Sequence, residues 1–213
     1  MINKNVYVIG PTFSIEPVFR RYGFTPFTDN GRDADLISTI PDDAIDIVCW
    51  MGGSDISPEL YNQRQLPITY PAPQRDEREV KLYRKYKDKP KLGICRGAQL
   101  INVLNNGSMY QDVNNHGSGT HKVYDTQDGK TYVVCSVHHQ LMVPAPNALV
   151  VAHTDISTRR ANDNGSFPRL PDEVDPEVLW IEEDKALLFQ GHPEFGPKSC
   201  TDYFFQLVER YIK

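Results

Sequence analysis

The chain has 213 residues, 39% apolar and 24% charged, with 28 acidic against 23 basic side chains and a net charge of −5. That length fits one doubly wound domain with a substantial core, and the composition is that of an ordinary globular protein. The acidic balance argues against a broad nucleic-acid or anionic-membrane surface, and no apolar run approaches the roughly 20 residues of a membrane span.

In chain order, Met1-Ile2-Asn3-Lys4-Asn5 leads directly into the β-rich run Val6-Tyr7-Val8-Ile9. It lacks the apolar stretch of roughly 7–15 residues that a signal peptide carries. Ile45-Asp46-Ile47-Val48-Cys49-Trp50 is a second apolar run, followed by Gly52-Gly53-Ser54-Asp55-Ile56-Ser57-Pro58-Glu59-Leu60-Tyr61. Arg75-Asp76 precedes residues 77–87, which read as a helix with Val80, Tyr83 and Tyr86 amid charge. Leu92-Gly93-Ile94 is a short buried strand, and residues 98–104 are helical up to the stop Asn105-Asn106-Gly107.

Between that strand and that helix stands Gly93-Ile94-Cys95-Arg96-Gly97-Ala98-Gln99. A cysteine at a sharp strand-to-helix turn needs small residues on both sides, because its backbone is strained and the helix packs close. The thiol then stands exposed at a helix N-terminus, whose partial positive charge favours thiolate.

Further along, Leu149-Val150-Val151-Ala152 is a strand, and residues 154–177 read as a long irregular loop rich in Asn, Asp and Pro, of the kind that forms lids. Val178-Leu179-Trp180-Ile181 and Ala186-Leu187-Leu188-Phe189 predict a hairpin across Glu182-Glu183-Asp184-Lys185. The C-terminal residues 200–212 repeat apolar side chains at Phe204, Leu207, Val208 and Tyr211, which predicts a helix packed on the sheet. Near-continuous apolar strands alternating with helices imply an α/β fold: a single three-layer doubly wound domain over residues 1–213 with a mostly parallel central sheet. Its active site belongs near the C-terminal ends of the strands.

Gln190-Gly191-His192-Pro193-Glu194 follows the last of those strands. A cysteine nucleophile needs a base within hydrogen-bond reach, and the base needs an orienting acceptor. His192 can be that base. Glu194, two residues on and therefore on the same side of an extended segment, can hold its ring.

Together, Gly-Ile-Cys-Arg-Gly-Ala-Gln at 93–99 and Gly-His-Pro-Glu at 191–194 resemble the class I glutamine amidotransferase superfamily. The Gly-Gly-x-Asp-x-x-Pro-x-x-Tyr string at 52–61 resembles its γ-glutamyl hydrolase branch, especially γ-glutamyl-γ-aminobutyrate hydrolase-like proteins. Arg75-Asp76, Asn102-Val103, Tyr110-Gln111-Asp112 and Ser136-Val137-His138-His139-Gln140 agree with it, in order, over nearly the whole chain. The resemblance implies a flavodoxin-like architecture, Cys95, His192 and Glu194 as catalytic residues, and a small-molecule γ-glutamyl substrate. Arg96 N–H supplies one oxyanion donor by the elbow geometry. The resemblance gives the second to Gly53, where backbone must approach substrate closely. It also places Gln99 in the pocket for the glutamate portion and His139 beside the cleft as a substrate contact. Two departures stand out: Cys135 replaces the usual asparagine before Ser136, and residues 154–177 are longer than the usual run into the strand pair.

The expected chemistry is cysteine-dependent hydrolysis of a γ-glutamyl amide through a thioester. The same triad also serves a glutaminase module that supplies ammonia to a separate synthetase partner, and a catalytically idle binding scaffold is the third reading. His138-His139 with His116 and His121 invites a metal reading, but no acidic or cysteine partner stands at a recognised spacing, so no metal or cofactor is expected. Cys49, Cys95, Cys135 and Cys200 are scattered, which suits reduced thiols and a cytoplasmic location.

Overall fold

The computed structural model describes residues 4–11, 14–28, 41–117 and 119–212. The reading of Met1-Ile2-Asn3 lies outside them. The first half runs β1 (Asn5–Ile9), α1 (Ile15–Arg21), β2 (Thr25–Thr28), β3 (Ile47–Trp50), α2 (Pro73–Lys85), β4 (Lys91–Ile94) and α3 (Arg96–Leu104). The short strands β5 (Ser108–Tyr110), β6 (Asp112–Val113), β7 (Thr120–Asp125), β8 (Thr131–Cys135) and β9 (Leu141–Val143) follow. β10 (Leu149–Thr154), β11 (Arg159–Asn162), β12 (Gly165–Pro168), β13 (Asp175–Ile181), β14 (Ala186–Phe189) and α4 (Lys198–Tyr211) complete the chain.

The main sheet has the order β2-β1-β3-β4-β14-β13-β10-β7-β8. Its first five strands pair in parallel and form the doubly wound core expected from the sequence, in flavodoxin-like order. Antiparallel pairing of β13, β10, β7 and β8 then extends the sheet. Alternation within β1 shows the layering. Val6 and Val8 pack with Phe19 of α1 and Phe204 and Phe205 of α4, while Tyr7 and Ile9 pack with Leu82 of α2 and Leu100 and Ile101 of α3. No helix of the described residues is long and apolar enough to cross a membrane.

Three local readings change. α2 begins at Pro73, so Arg75 and Asp76 sit in its first turns, not before it; proline at the first helical position is preset in φ and loses no needed N–H. Its buried face carries Asp76, Glu79 and Leu82, which an apolar-face count passes over. Residues 154–177 are no irregular loop: β11 and β12 form a hairpin that adds to β6. Asn162 and Gly165, at φ +127°, flank its turn, and the two short polar strands lack the apolar alternation by which a strand is recognised.

The elbow demands close packing. A Cβ on Gly97 would collide with Trp50 O, and one on Gly93 would lie 2.6 Å from Ala98 Cα. Backbone cannot give way as a side chain can. Gly97→Ala is therefore expected to destabilise the chain by about 3 kcal/mol or more, read as a lower urea midpoint at unchanged slope.

Candidate active site

Cys95 ends β4 and precedes α3 with φ 50° and ψ −112°, outside the regions that L-residues ordinarily occupy. Such strain costs about 1–3 kcal/mol and persists only where surroundings impose it. Here Cys95 N donates to Phe189 O at 2.8 Å, and Gln99 N donates to Cys95 O at 3.1 Å. The thiol is less open than the sequence predicts: Cys95 is 7% exposed, at the floor of a cleft of about 560 Å³. The cleft is lined by Met51, Gly52, Gly53, His192 and Glu194, with Pro11, Ser14, Val137 and Phe195 around them.

The structure brings His192 and Glu194 to that thiol. His192 Nδ1 lies 2.8 Å from Glu194 Oε1, and the ring lines the same cleft as Cys95. The route differs from the extended segment expected. Residues 193–195 turn, with Phe195 N and Gly196 N both donating to His192 O, and this folds Glu194 back onto its own histidine. Burial alone would push the imidazole pKa down. Hydrogen bonds and charges from Cys95 and Glu194 outweigh burial and lift it to about 10, which favours the imidazolium at neutral pH. Burial pushes the other three thiols up, Cys49 far and Cys200 to about 12, with Cys135 also raised, and holds them protonated.

Both glycines of the turn after β3 have a geometric reason. A Cβ on Gly52 would meet His192 Cε1 at 2.6 Å, so glycine makes room for the ring. Gly53 has φ +145°, and a Cβ there would run into Arg75 Nη1. Arg75 Nη2 donates to Met51 O and Gly52 O, both at 3.0 Å, and so fixes this turn.

Arg96 contributes more than the N–H the sequence assigns. Its guanidinium is 1% exposed and pairs with Asp76 Oδ1 and Glu79 Oε2. Glu79 Oε1 in turn accepts from Arg75 Nε at 2.6 Å, and Asp76 Oδ2 accepts from Ser57 N and Oγ. Sequence reasoning missed Asp76, Glu79 and Arg75 as parts of the site. Their signal was the one-turn spacing of Arg75 and Glu79 beside Asp76.

Gln99 and His139 do not line the cleft. Gln99 is buried, with Nε2 3.4 Å from Gln140 O and 3.3 Å from Gln190 Oε1. Gln190, which sequence reasoning also missed, points its Nε2 at Cys95 Sγ at 3.7 Å. His139 is half-buried, its Nε2 3.1 Å from Asp55 Oδ1, and that contact raises its pKa. Gln111 bonds to Gln63, Arg64, Leu66 and Thr69, so this part of the resembling pattern braces a loop. The hairpin β11–β12 lines no part of the cleft; it joins the rest through Arg159–Asp112 and Arg64–Asp163 contacts.

A strand-to-helix cysteine backed by a histidine–glutamate pair on a 2-1-3-4-5 parallel core is the arrangement that the resemblance to glutamine amidotransferases implies. The peptidase C26 profile matches residues 26–152. Protein NtpR of Enterococcus hirae is 34% identical over 196 residues, covering 77% of this chain and 75% of its own. The glutamine amidotransferase-like protein YvdE of Lactococcus lactis is 30% identical over 162 residues, 65% of this chain and 69% of its own. The carbamoyl phosphate synthase small chain of Aquifex aeolicus is 31% identical over 146 residues, 66% of this chain but 34% of its own. In fold, the crystal structure of a glutamine amidotransferase from Thermotoga maritima matches with a TM-score of 0.62 at 18% identity, over 99% of this chain and 86% of that one. The chain belongs to the peptidase C26 family, within the class I glutamine amidotransferase superfamily.

Two outcomes follow. Arg96→Met leaves Asp76 and Glu79 short of a buried partner and is expected to cost about 3–5 kcal/mol in a denaturant titration. His192 has its pKa raised from 6.5 to about 10, so its stabilisation is complete below pH 6.5 and is lost as pH rises through about 10. Urea midpoints should therefore fall between those pH values, and fall less in Glu194→Gln.

Proposed function

We propose that the chain, acting as one domain in the cytoplasm, hydrolyses a γ-glutamyl amide whose amine is larger than ammonia. The observation that carries this reading is the cleft at the thiol. About 560 Å³ with an apolar rim of Val137 and Phe195, 47% and 61% exposed, exceeds what ammonia requires and suits a substituted amine.

In this reading the Cys95 thiolate attacks the amide carbonyl carbon. Negative charge develops on the carbonyl oxygen and is met by the N–H groups of Arg96 and Gly53. Glu194 keeps His192 oriented, and the imidazolium gives its proton to the leaving nitrogen as the C–N bond breaks. Water then loses a proton to His192 and attacks the thioester, the C–S bond breaks, and glutamate and the thiolate are released. We assign the glutamate portion to the side of Gln99 and His139. There the ring of His139 offers a polar partner to the α-carboxylate, with Asp55 and Asp112 beside it for the α-ammonium.

The similarity to a carbamoyl phosphate synthase small chain favours a second reading, in which the same triad releases ammonia to a separate synthetase and the exposed rim meets that partner. A substrate panel separates the two. Purified chain should release glutamate from substituted γ-glutamyl amides faster than from glutamine, with no partner present. Activity on glutamine alone, appearing only when a synthetase is added, would reverse the ranking. Cys95→Ala should abolish release while the fold, read by circular dichroism, persists, and Cys49→Ala, Cys135→Ala and Cys200→Ala should retain it. His192→Ala should be nearly as inactive as Cys95→Ala, since the triad acts as a unit, and Glu194→Gln should be milder.

A further inference from the structure

Four side chains from distant segments meet beneath the loop that carries Val137 and His139. His116 precedes β7, His121 lies on β7, His138 follows β8, and Glu177 lies on β13. His116 and Glu177 are almost wholly inaccessible and His138 is 4% exposed. Glu177 Oε1 stands 3.1 Å from His116 Nδ1, 3.1 Å from His121 Nε2 and 3.6 Å from His138 Nε2. None of these contacts has the geometry of a hydrogen bond: the three ring nitrogens and both Glu177 oxygens lack a hydrogen-bond partner. A carboxylate taken out of water without aligned donors needs another compensation.

The ring orientations say what kind. His138 Nδ1 lies 2.9 Å from Gln140 O, and a carbonyl only accepts, so Nδ1 carries the proton. Its Nε2 is then the atom that faces Glu177. His116 Nε2 lies 3.3 Å from Asp175 Oδ2, and its Nδ1 is the atom that faces Glu177. Asp175 is itself fixed by Arg160 Nη2 at 2.8 Å and by Ser157. A carboxylate behind an imidazole is the arrangement that sets the tautomer of a metal-ligating histidine. A cation held among these ring nitrogens and the Glu177 carboxylate would supply the compensation that the buried carboxylate lacks.

We propose that His116, His121, His138 and Glu177 form a structural site for a divalent transition ion, zinc by preference. Three imidazoles and one carboxylate suit tetrahedral zinc, whose bonds of about 2.0–2.1 Å set ligand atoms about 3.3 Å apart. The observed spacings of 3.1, 3.1 and 3.6 Å to Glu177 Oε1 bracket that value. Ligand atoms of His116, His121 and Glu177 all lie within 4.8 Å of one another; His138, whose Nε2 stands 3.6 Å from Glu177 Oε1, is the nearest side chain for a fourth position. Four protein ligands leave no position for substrate, which makes the ion a brace. What it braces is the cleft. His138 N donates to His116 O, Glu177 O accepts from Gln190 N, and Cys135 O accepts from His192 N. The ion would thus hold the loops around His116 and Val137 to the strands that carry Gln190 and His192, without touching the reacting atoms. The alternative occupant of this space is a proton shared between the imidazoles and Glu177, and the experiment distinguishes the two.

The full chain, freed of metal with a chelator and dialysed, is titrated with zinc chloride, and bound metal and Tm are measured. One zinc per chain is expected, with Tm rising by about 5–10 °C when free zinc stands a hundredfold above Kd. Cobalt in its place should give the visible absorption of a tetrahedral site. Cys95→Ala should keep the zinc, which separates this site from the Cys95–His192 pair. Glu177→Gln, close in size, should lose both the zinc and the rise in Tm. If that variant fails to fold, His121→Ala, at the most accessible ligand, takes its place. The proposal is overturned if folded wild-type chain takes up no stoichiometric zinc and its Tm is unmoved. It is equally overturned if Cys95→Ala loses the zinc while Glu177→Gln keeps it.

Discussion

The site depends on a buried line of charge that joins three segments: Arg96 at the start of α3, Asp76 and Glu79 on α2, and Arg75, which reaches the turn after β3. Cys95 comes from one strand end and the proposed oxyanion glycine from another. Strand pairing sets their separation only coarsely. Alternating charges at hydrogen-bond distance set it finely, because in a low-dielectric interior each partner is strongly penalised for leaving the other. This also accounts for the motif around Asp55: Ser57 binds Asp76, and Asp55 holds His139 and Tyr70, so the string anchors a loop to the same network.

On that frame the strain at Cys95 becomes tolerable to the fold. Cys95 N bonds to β14 through Phe189 O, Gly97 lies against Trp50, and Arg96 is locked by two carboxylates. The backbone has no relaxed alternative that keeps these contacts. His192 arrives from the neighbouring strand end, beside a glycine that leaves space for its ring, and carries its own carboxylate in the next turn. The raised pKa of its ring follows from Cys95 and Glu194 acting inside a site that burial alone would make hostile to charge.

The antiparallel half of the sheet has a different task. β7, β8 and β13 carry none of Cys95, His192 and Glu194, yet they hold the loops that rim the cleft. Their meeting point is rich in histidine and carboxylate, not in apolar side chains, which is an unusual choice for an interior. The β11–β12 hairpin is tied to Asp112 and Arg64 on the flank of His139, so it shapes the surroundings of that side without entering the cleft.

Residue type and local pattern were enough for the parallel core, the elbow at Cys95, and the pairing of His192 with Glu194. Apolar runs such as Val6-Tyr7-Val8-Ile9 and Ala186-Leu187-Leu188-Phe189 can satisfy both faces only inside a sheet, and Gly-x-Cys-x-Gly admits few backbones. Short-range pattern could not reach the rest. The polar strands β11 and β12 are strands only because β6 lies beside them. Asp76 and Glu79 look like an exposed helical face until Arg96, about twenty residues away, is folded against them. Glu177 stands 61 residues after His116, a separation at which no spacing rule operates, and only tertiary contact makes it the acidic partner that the histidines lack in sequence. Sequence determined which backbone shapes each segment could adopt; the tertiary structure decided which charges share an interior, because an interaction between charges depends on their distance in space and on the dielectric around them.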